Sequence, residues 1–263
     1  AHSFPTRRSS DLITKLSADE EQYAIFLSTI LDDWYVPVIL IMNNGGRLLK
    51  GNNCYAAFDD PKTIAALEYY LTFFEENLAI RAMSKVANIY QAFAEGFFAM
   101  MITGPWNINE IRQRQPELHG KWDTAMIPAR VHRNSTAGGS SLVISKNTDH
   151  PDAAFKFIEF MSRAETQLEF FRITRDLPAV EKAWGAPEMQ EDQQIRAFYE
   201  QLQHVVPTPK IAEWEQVAVK LQEHLEQVIF NVRTLDETIP LLNADVDKIL
   251  EKRRWLIRNG LLQ

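Results

Sequence analysis

Apolar residues recur at spacings of three and four along several stretches of this chain, the period of a helix with one face buried. Ile64, Leu67, Leu71, Phe74 and Leu78 form one stripe, and Asp60 followed by Pro61 supplies an N-cap and a first-turn residue ahead of it. Ala154, Phe157, Ile158 and Met161 form a second, behind Pro151, and predict one more buried helix face. Val217, Leu221, Leu225 and Val228 form a third, following Trp214. Thr234 and Glu237 have the spacing of a capping box at the start of the last long helix, with Pro240 inside it as an expected kink or early stop.

Other stretches carry different signals. LDDWYVPVILIMNNGG, from Leu31 to Gly46, is an apolar run in which periodicity does not separate strand from helix. In FAEGFFAMMI, Gly96 interrupts a helical pattern and a β-prone run follows, ending in a turn at Thr103-Gly104-Pro105-Trp106. A second strand is predicted at Ser140 to Ser145, entered from Ala137-Gly138-Gly139. Leu177-Pro178-Ala179 breaks the helical region, and Pro207 and Pro209 interrupt the chain ahead of Trp214. Helices alternating with a few strands place the chain in the α/β class, rich in helix over its last third.

Composition narrows the field. The 263 residues are 46% hydrophobic and 24% charged, values of a globular protein able to bury a core. With 28 Lys and Arg against 35 Asp and Glu, the net charge of −7 argues against nucleic acid as a partner. Cys54 is the one cysteine, which excludes a disulfide framework and a cysteine-rich zinc site. No run of about 18 apolar residues is present to span a membrane. Ser3 to Leu12, SFPTRRSSDL, resembles a common sequencing-library adapter translated in one frame; setting residues 1–12 aside as non-native moves the charge to −8 and implies a native start further upstream.

A catalytic constellation is not legible. His2, His119, His132, His150, His204 and His224 include no pair at metal-ligand spacing, and phosphate-cradling or nucleophile-elbow motifs are missing. Adjacent acids such as Asp32 with Asp33 or Asp59 with Asp60 read as caps or solvated charge. The tryptophans are more telling. Trp34 follows two aspartates, Trp106 sits in a Gly-Pro turn, and Trp214 follows a proline-rich loop, places where a flat ring can face a cleft instead of a core. Indole faces beside carboxylates and amides suit pyranose sugars, and Gly138-Gly139 offers backbone that a ligand can approach closely.

These residues resemble the extracellular solute-binding proteins of bacterial ABC transporters, in particular the carbohydrate-binding group that includes maltose-binding protein. FAEGFFAMMITGPWNI, Phe93 to Ile108, is the strongest likeness; WYVPVILIMNNGG, GGSSLVISKNTDHPDAAFKFIEFM, Leu177-Pro178-Ala179 and Pro207-x-Pro209 before Trp214 follow in the family's order, from about Tyr23 to the end. One departure is that Pro37 lies farther from Gly45 than in the maltose-binding pattern. The resemblance implies a periplasmic-binding-protein-like two-lobe α/β fold, incomplete because the first part of one lobe is missing. It implies a C-terminal-type lobe from 13–130 and 185–263 and a remnant of the N-terminal-type lobe at 131–184.

The same resemblance assigns ligand-binding positions: Trp106 and Trp214 as stacking aromatics, Trp34 with Asp33 as an aromatic and an acid from one lobe, and Gly138 and Gly139 as a turn lining the cleft. Asn107 joins them beside Trp106, and Arg175 is either a ligand contact or a surface arginine. The implied function is capture of a sugar or oligosaccharide, without catalysis, cofactor or metal, by a monomer that delivers it to an ABC permease at the outer face of the bacterial cytoplasmic membrane. The alternatives are a polyol, glycerophosphodiester or peptide ligand, a two-carboxylate glycoside hydrolase, or a helical interaction module.

Overall fold

The computed structural model describes residues 22–30 and 33–262. The adapter-like segment lies outside them. The described residues divide into two compact units: 22–30, 33–102, 127–136 and 204–262 in unit 1, and 103–126 and 137–203 in unit 2. The crossings fall after Ile102, Met126, Thr136 and Gln203.

Unit 1 opens with β1 (Tyr23–Phe26) and α1 (Tyr35–Asn43). The ambiguous apolar run is thus a helix. Val36, Pro37, Val38, Ile39 and Ile41 are all buried, so it lies inside the unit and shows no amphipathic period. Gly45, at φ 70°, ends it: Gly46 N–H donates to Ile41 O and Gly45 N–H to Met42 O, a left-handed closure that glycine makes without strain. A hairpin of β2 (Leu49–Lys50) and β3 (Tyr55–Ala56) follows. Then α2 (Pro61–Glu75) starts where predicted, its Asp60 cap accepting a hydrogen bond from Lys62 N–H at 3.1 Å. A short α3 (Ile89–Ala94) leads into β4 (Phe98–Met101), which pairs in parallel with β1 in the register Tyr23 to Phe98 and Ile25 to Met100.

Trp214 begins α9 (Trp214–Ile229), and the unit closes with α10 (Leu235–Ile249) and α11 (Glu251–Arg258); the helices between α3 and α9 belong to unit 2. The capping box at Thr234 and Glu237 forms as its spacing predicts. Helix α10 runs through Pro240 to Ile249, so the proline neither stops nor shortens it. One core joins these elements, with Ile41, Phe58, Leu67, Tyr70, Phe74, Leu221, Leu225 and Ile229 each almost fully enclosed.

Unit 2 contains α4 (Trp106–Arg114), α5 (Pro151–Met161), α6 (Ala164–Thr174), the single turn α7 (Pro187–Gln190) and α8 (Gln193–Leu202). Its core is small: Ile108, Phe171, Trp184, Met189 and Ile195. Two expectations fail here. Ser140 to Ser145 pairs with no strand among the described residues and runs exposed, with Val143 at 85%. A strand needs a hydrogen-bonding neighbour, and its own alternation cannot supply one. Helix α5 forms from Pro151 as predicted, yet buries no residue: Phe157, on the expected stripe, is 56% exposed, and Phe155 and Phe160 are exposed too.

Candidate functional site

In unit 1 the chain brings Asp33, Trp34 and Trp214 into one neighbourhood. Trp34 ends the turn before α1, and its indole Nε1–H donates to Glu215 Oε1 at 3.0 Å. Its ring meets that of Trp214 edge-on, with centroids 5.2 Å apart and planes at 90°, a favoured aromatic geometry. Trp34 is half-buried, but Trp214 is only 8% exposed and belongs to the apolar core. The face of Trp214 is therefore spent inside the unit, where the sequence had suggested a ring turned outward.

Asp33 acts on tyrosines behind it. Burial first, and then the negative charge of Asp33, push the Tyr35 hydroxyl up to about 12. Tyr70, fully enclosed, is raised further, by burial above all and then by Tyr35 and Asp33, against a smaller lowering by its hydrogen bond with Gln222. Both hydroxyls therefore stay protonated and available as donors. Tyr35 uses its proton on Ile102 O at 3.4 Å.

In unit 2, Trp106 is the first residue of α4 and is 56% exposed. Its ring folds back over Gly104, so close that any β-carbon there would overlap the indole. The Gly-Pro-Trp sequence is thus a steric unit: glycine clears the space, proline sets the helix entry at φ −64°, and the indole lies along the cleared backbone. Asn107 is buried and donates from Nδ2 to Thr103 Oγ1 at 2.6 Å, which braces the turn beneath Trp106.

The same helix borders a depression of about 430 Å³, floored by Pro105, Ile108, Phe171, Leu177 and Ile195 and edged by Arg112, Arg175, Glu188 and Asp192. Arg112 is neutralised there, holding Asp192 through two bonds of 2.7 and 2.9 Å. Arg175 terminates α6 in the left-handed region at φ 66°, rare for a residue with a side chain, and lays its guanidinium over the Phe171 ring at 5.4 Å. It gives the depression a cationic edge over an apolar floor. Gly138 and Gly139 lie in the exposed irregular stretch, with no atom within 4 Å of where a β-carbon would stand. They join neither cluster.

Two contributors were not foreseen, Glu215 and Gly104. Glu215 stands 181 residues from the indole it holds, and its position directly after Trp214 was the only hint. Gly104 was visible only as a turn residue. Among the described residues no cluster of His, Cys, Asp and Glu could hold a metal ion, and no helix is long and apolar enough to cross a membrane.

The sequence model of the bacterial extracellular solute-binding proteins matches residues 11–197. This chain belongs to that family. The solute-binding relatives include the maltodextrin-binding protein MdxE of Bacillus subtilis, 29% identical over 129 residues, which are 49% of this chain and 31% of that protein. A maltooligosaccharide ABC transporter solute-binding lipoprotein of Streptococcus pneumoniae is 25% identical over 199 residues, 72% of this chain and 47% of its own length. Among solved structures, the sugar-binding protein MalE of Xanthomonas citri superposes with a TM-score of 0.87 at 31% identity, over 95% of this chain and 64% of that one. The fold is therefore the two-lobe, helix-rich α/β fold of these binding proteins. The chain spans less than half the length of these two curated relatives.

Proposed function

We propose that this solute-binding protein captures a sugar or oligosaccharide and presents it, as a monomer, to an ABC permease at the outer face of the bacterial cytoplasmic membrane, making and breaking no covalent bond. The observation that carries the reading is the exposed indole of Trp106 held flat over Gly104, in a family whose relatives bear maltodextrin and maltooligosaccharide names. An apolar ring fixed at a helix start is suited to the C–H face of a pyranose. Asn107 positions that ring from below, and Arg175 offers donors to ligand hydroxyls from the neighbouring depression.

Trp34, with Asp33, offers an aromatic ring and an acid on unit 1; Trp214 acts through Trp34, as the buried wall that fixes its edge. Gly138 and Gly139 leave room for close backbone approach. On this reading 13–130 with 185–263 forms the C-terminal-type lobe and 131–184 a remnant of the other.

Calorimetric titration against malto-oligosaccharides, monosaccharides, a glycerophosphodiester and a peptide tests the ligand class; a best response to either of the last two would overturn it. Trp106→Ala is expected to weaken sugar binding by about 2 kcal/mol or more. Gly104→Ala should reproduce much of that loss with Trp106 intact, because the ring can no longer lie where it does. Unchanged affinity in both variants would remove Trp106 from the site.

A further inference from the structure

Residues 248–262 carry Lys248, Lys252, Arg253, Arg254 and Arg258 against the single acid Glu251, a basic island in a chain whose net charge is −7. The fold sorts these cations into two groups. Arg253 is buried and faces Glu213 at 3.9 Å. Arg254 donates to Cys54 O at 2.9 Å and Asp247 O at 2.7 Å, and its guanidinium lies over the Tyr55 ring. Those two fasten α11 to the unit. Lys248, Lys252 and Arg258 are exposed, and none has a carboxylate within ion-pair distance among the described residues.

Between them stands Trp255, 52% exposed, three residues after Lys252 and three before Arg258, so that lysine, indole and arginine share one side of the helix. Gly260, at φ 67°, closes the helix with Leu261 N–H donating to Leu256 O, and leaves Leu261 64% exposed at that end. Unpaired cations around an exposed indole and leucine are the pattern of a helix that rests at a lipid headgroup boundary: cations meet phosphate, and the indole takes the half-apolar, half-wet layer.

We propose that the outer surface formed by the end of α10, by α11 and by the turn after it, with Lys248, Lys252, Trp255, Arg258 and Leu261 outnumbering the single acid Glu251, docks on an anionic phospholipid surface. Three free cations and one indole give weak, reversible attachment, which orients a protein already at the membrane and does not anchor one by itself. The inference rests on family membership for its setting and is independent of which solute is bound.

The test is co-sedimentation of the whole chain with vesicles of phosphatidylglycerol and phosphatidylcholine in equal parts, against phosphatidylcholine alone, at low and high salt. Binding to the anionic vesicles and release by salt are expected, with each of Lys252→Glu and Arg258→Glu lowering the partition coefficient about fivefold or more. Trp255→Ala should weaken it as well, and brominated phospholipid should quench an indole signal that is lost in Trp255→Phe. These residues are exposed, so the variants keep the fold, which circular dichroism checks. Equal retention on neutral vesicles, indifference to salt, or a loss that follows Phe157→Gln on α5 in place of the α11 variants would overturn the proposal.

Discussion

The amphipathic stripes of α9 and α5 look alike in the sequence and meet opposite fates. On α9, Val217, Leu221 and Leu225 are sealed between α2 and α10. On α5, the stripe built on Ala154, Phe157, Ile158 and Met161 leaves every residue at least partly open to solvent. Periodicity states which face of a helix gains from burial, but burial needs an opposing surface. Unit 1 supplies one in its own helices. In unit 2 the five-residue core around Phe171 and Trp184 lies under other helices, and the α5 phenylalanines and Leu142 to Ile144 remain uncovered.

The sharpest way to break that contrast is to truncate both stripes. Leu221→Ala is expected to destabilise the protein by about 2–5 kcal/mol, the ordinary cost of a cavity in a filled core. Phe157→Gln should change stability by no more than about 0.5 kcal/mol, since there is little contact to lose, while lowering the binding of an apolar dye. Urea denaturation followed by circular dichroism reads both. Comparable costs would mean that the α5 face is covered in solution.

Much of unit 1 could be read in advance because its signals are local. Asp60-Pro61, the Thr234 and Glu237 box, and the Gly45-Gly46 stop each fix a helix end through bonds within a few residues. The strand expected at Ser140 to Ser145 failed because pairing is a relation between distant segments, and alternation along one segment carries only half of it. For the same reason Trp34 could be singled out while its partner Glu215 could not, and Trp214 was expected at a surface when its environment is set by α1 and by the core. Trp106 was easier: Gly104, Pro105 and the indole are contiguous, and their steric fit is written in three residues.

A subtler comparison uses one device that both units share. Asp60 caps α2 and holds Arg47 at 2.9 Å; Asp192 caps α8 and holds Arg112 at 2.7 Å. Burial pushes both carboxyls up, but the arginines and the first-turn N–H groups outweigh it and leave each below the ordinary value of 3.8. A native pKa below the unfolded one contributes stability at neutral pH that is lost as the pH falls through the lowered native value. Asp60→Ala and Asp192→Ala should each cost about 1 kcal/mol at neutral pH, and that cost should shrink below about pH 4. A cost that is flat with pH would assign the effect to helix propensity alone.

The smallest effect separates apolar burial from surface charge within unit 2. Arg172 bonds Glu188 at 2.8 Å and Glu169 at 3.0 Å, beside the buried Phe171 on the same helix, but the arginine side chain is 51% exposed. Water and salt screen such pairs, and holding three long side chains together costs rotamer freedom. Arg172→Met keeps the aliphatic stem and helix propensity and should leave the urea midpoint almost unchanged, with no added salt dependence. A clear drop in that midpoint would mean that α6 is held as much by charge as by Phe171, and that the sparse core of unit 2 relies on its surface in a way the well-filled core of unit 1 does not.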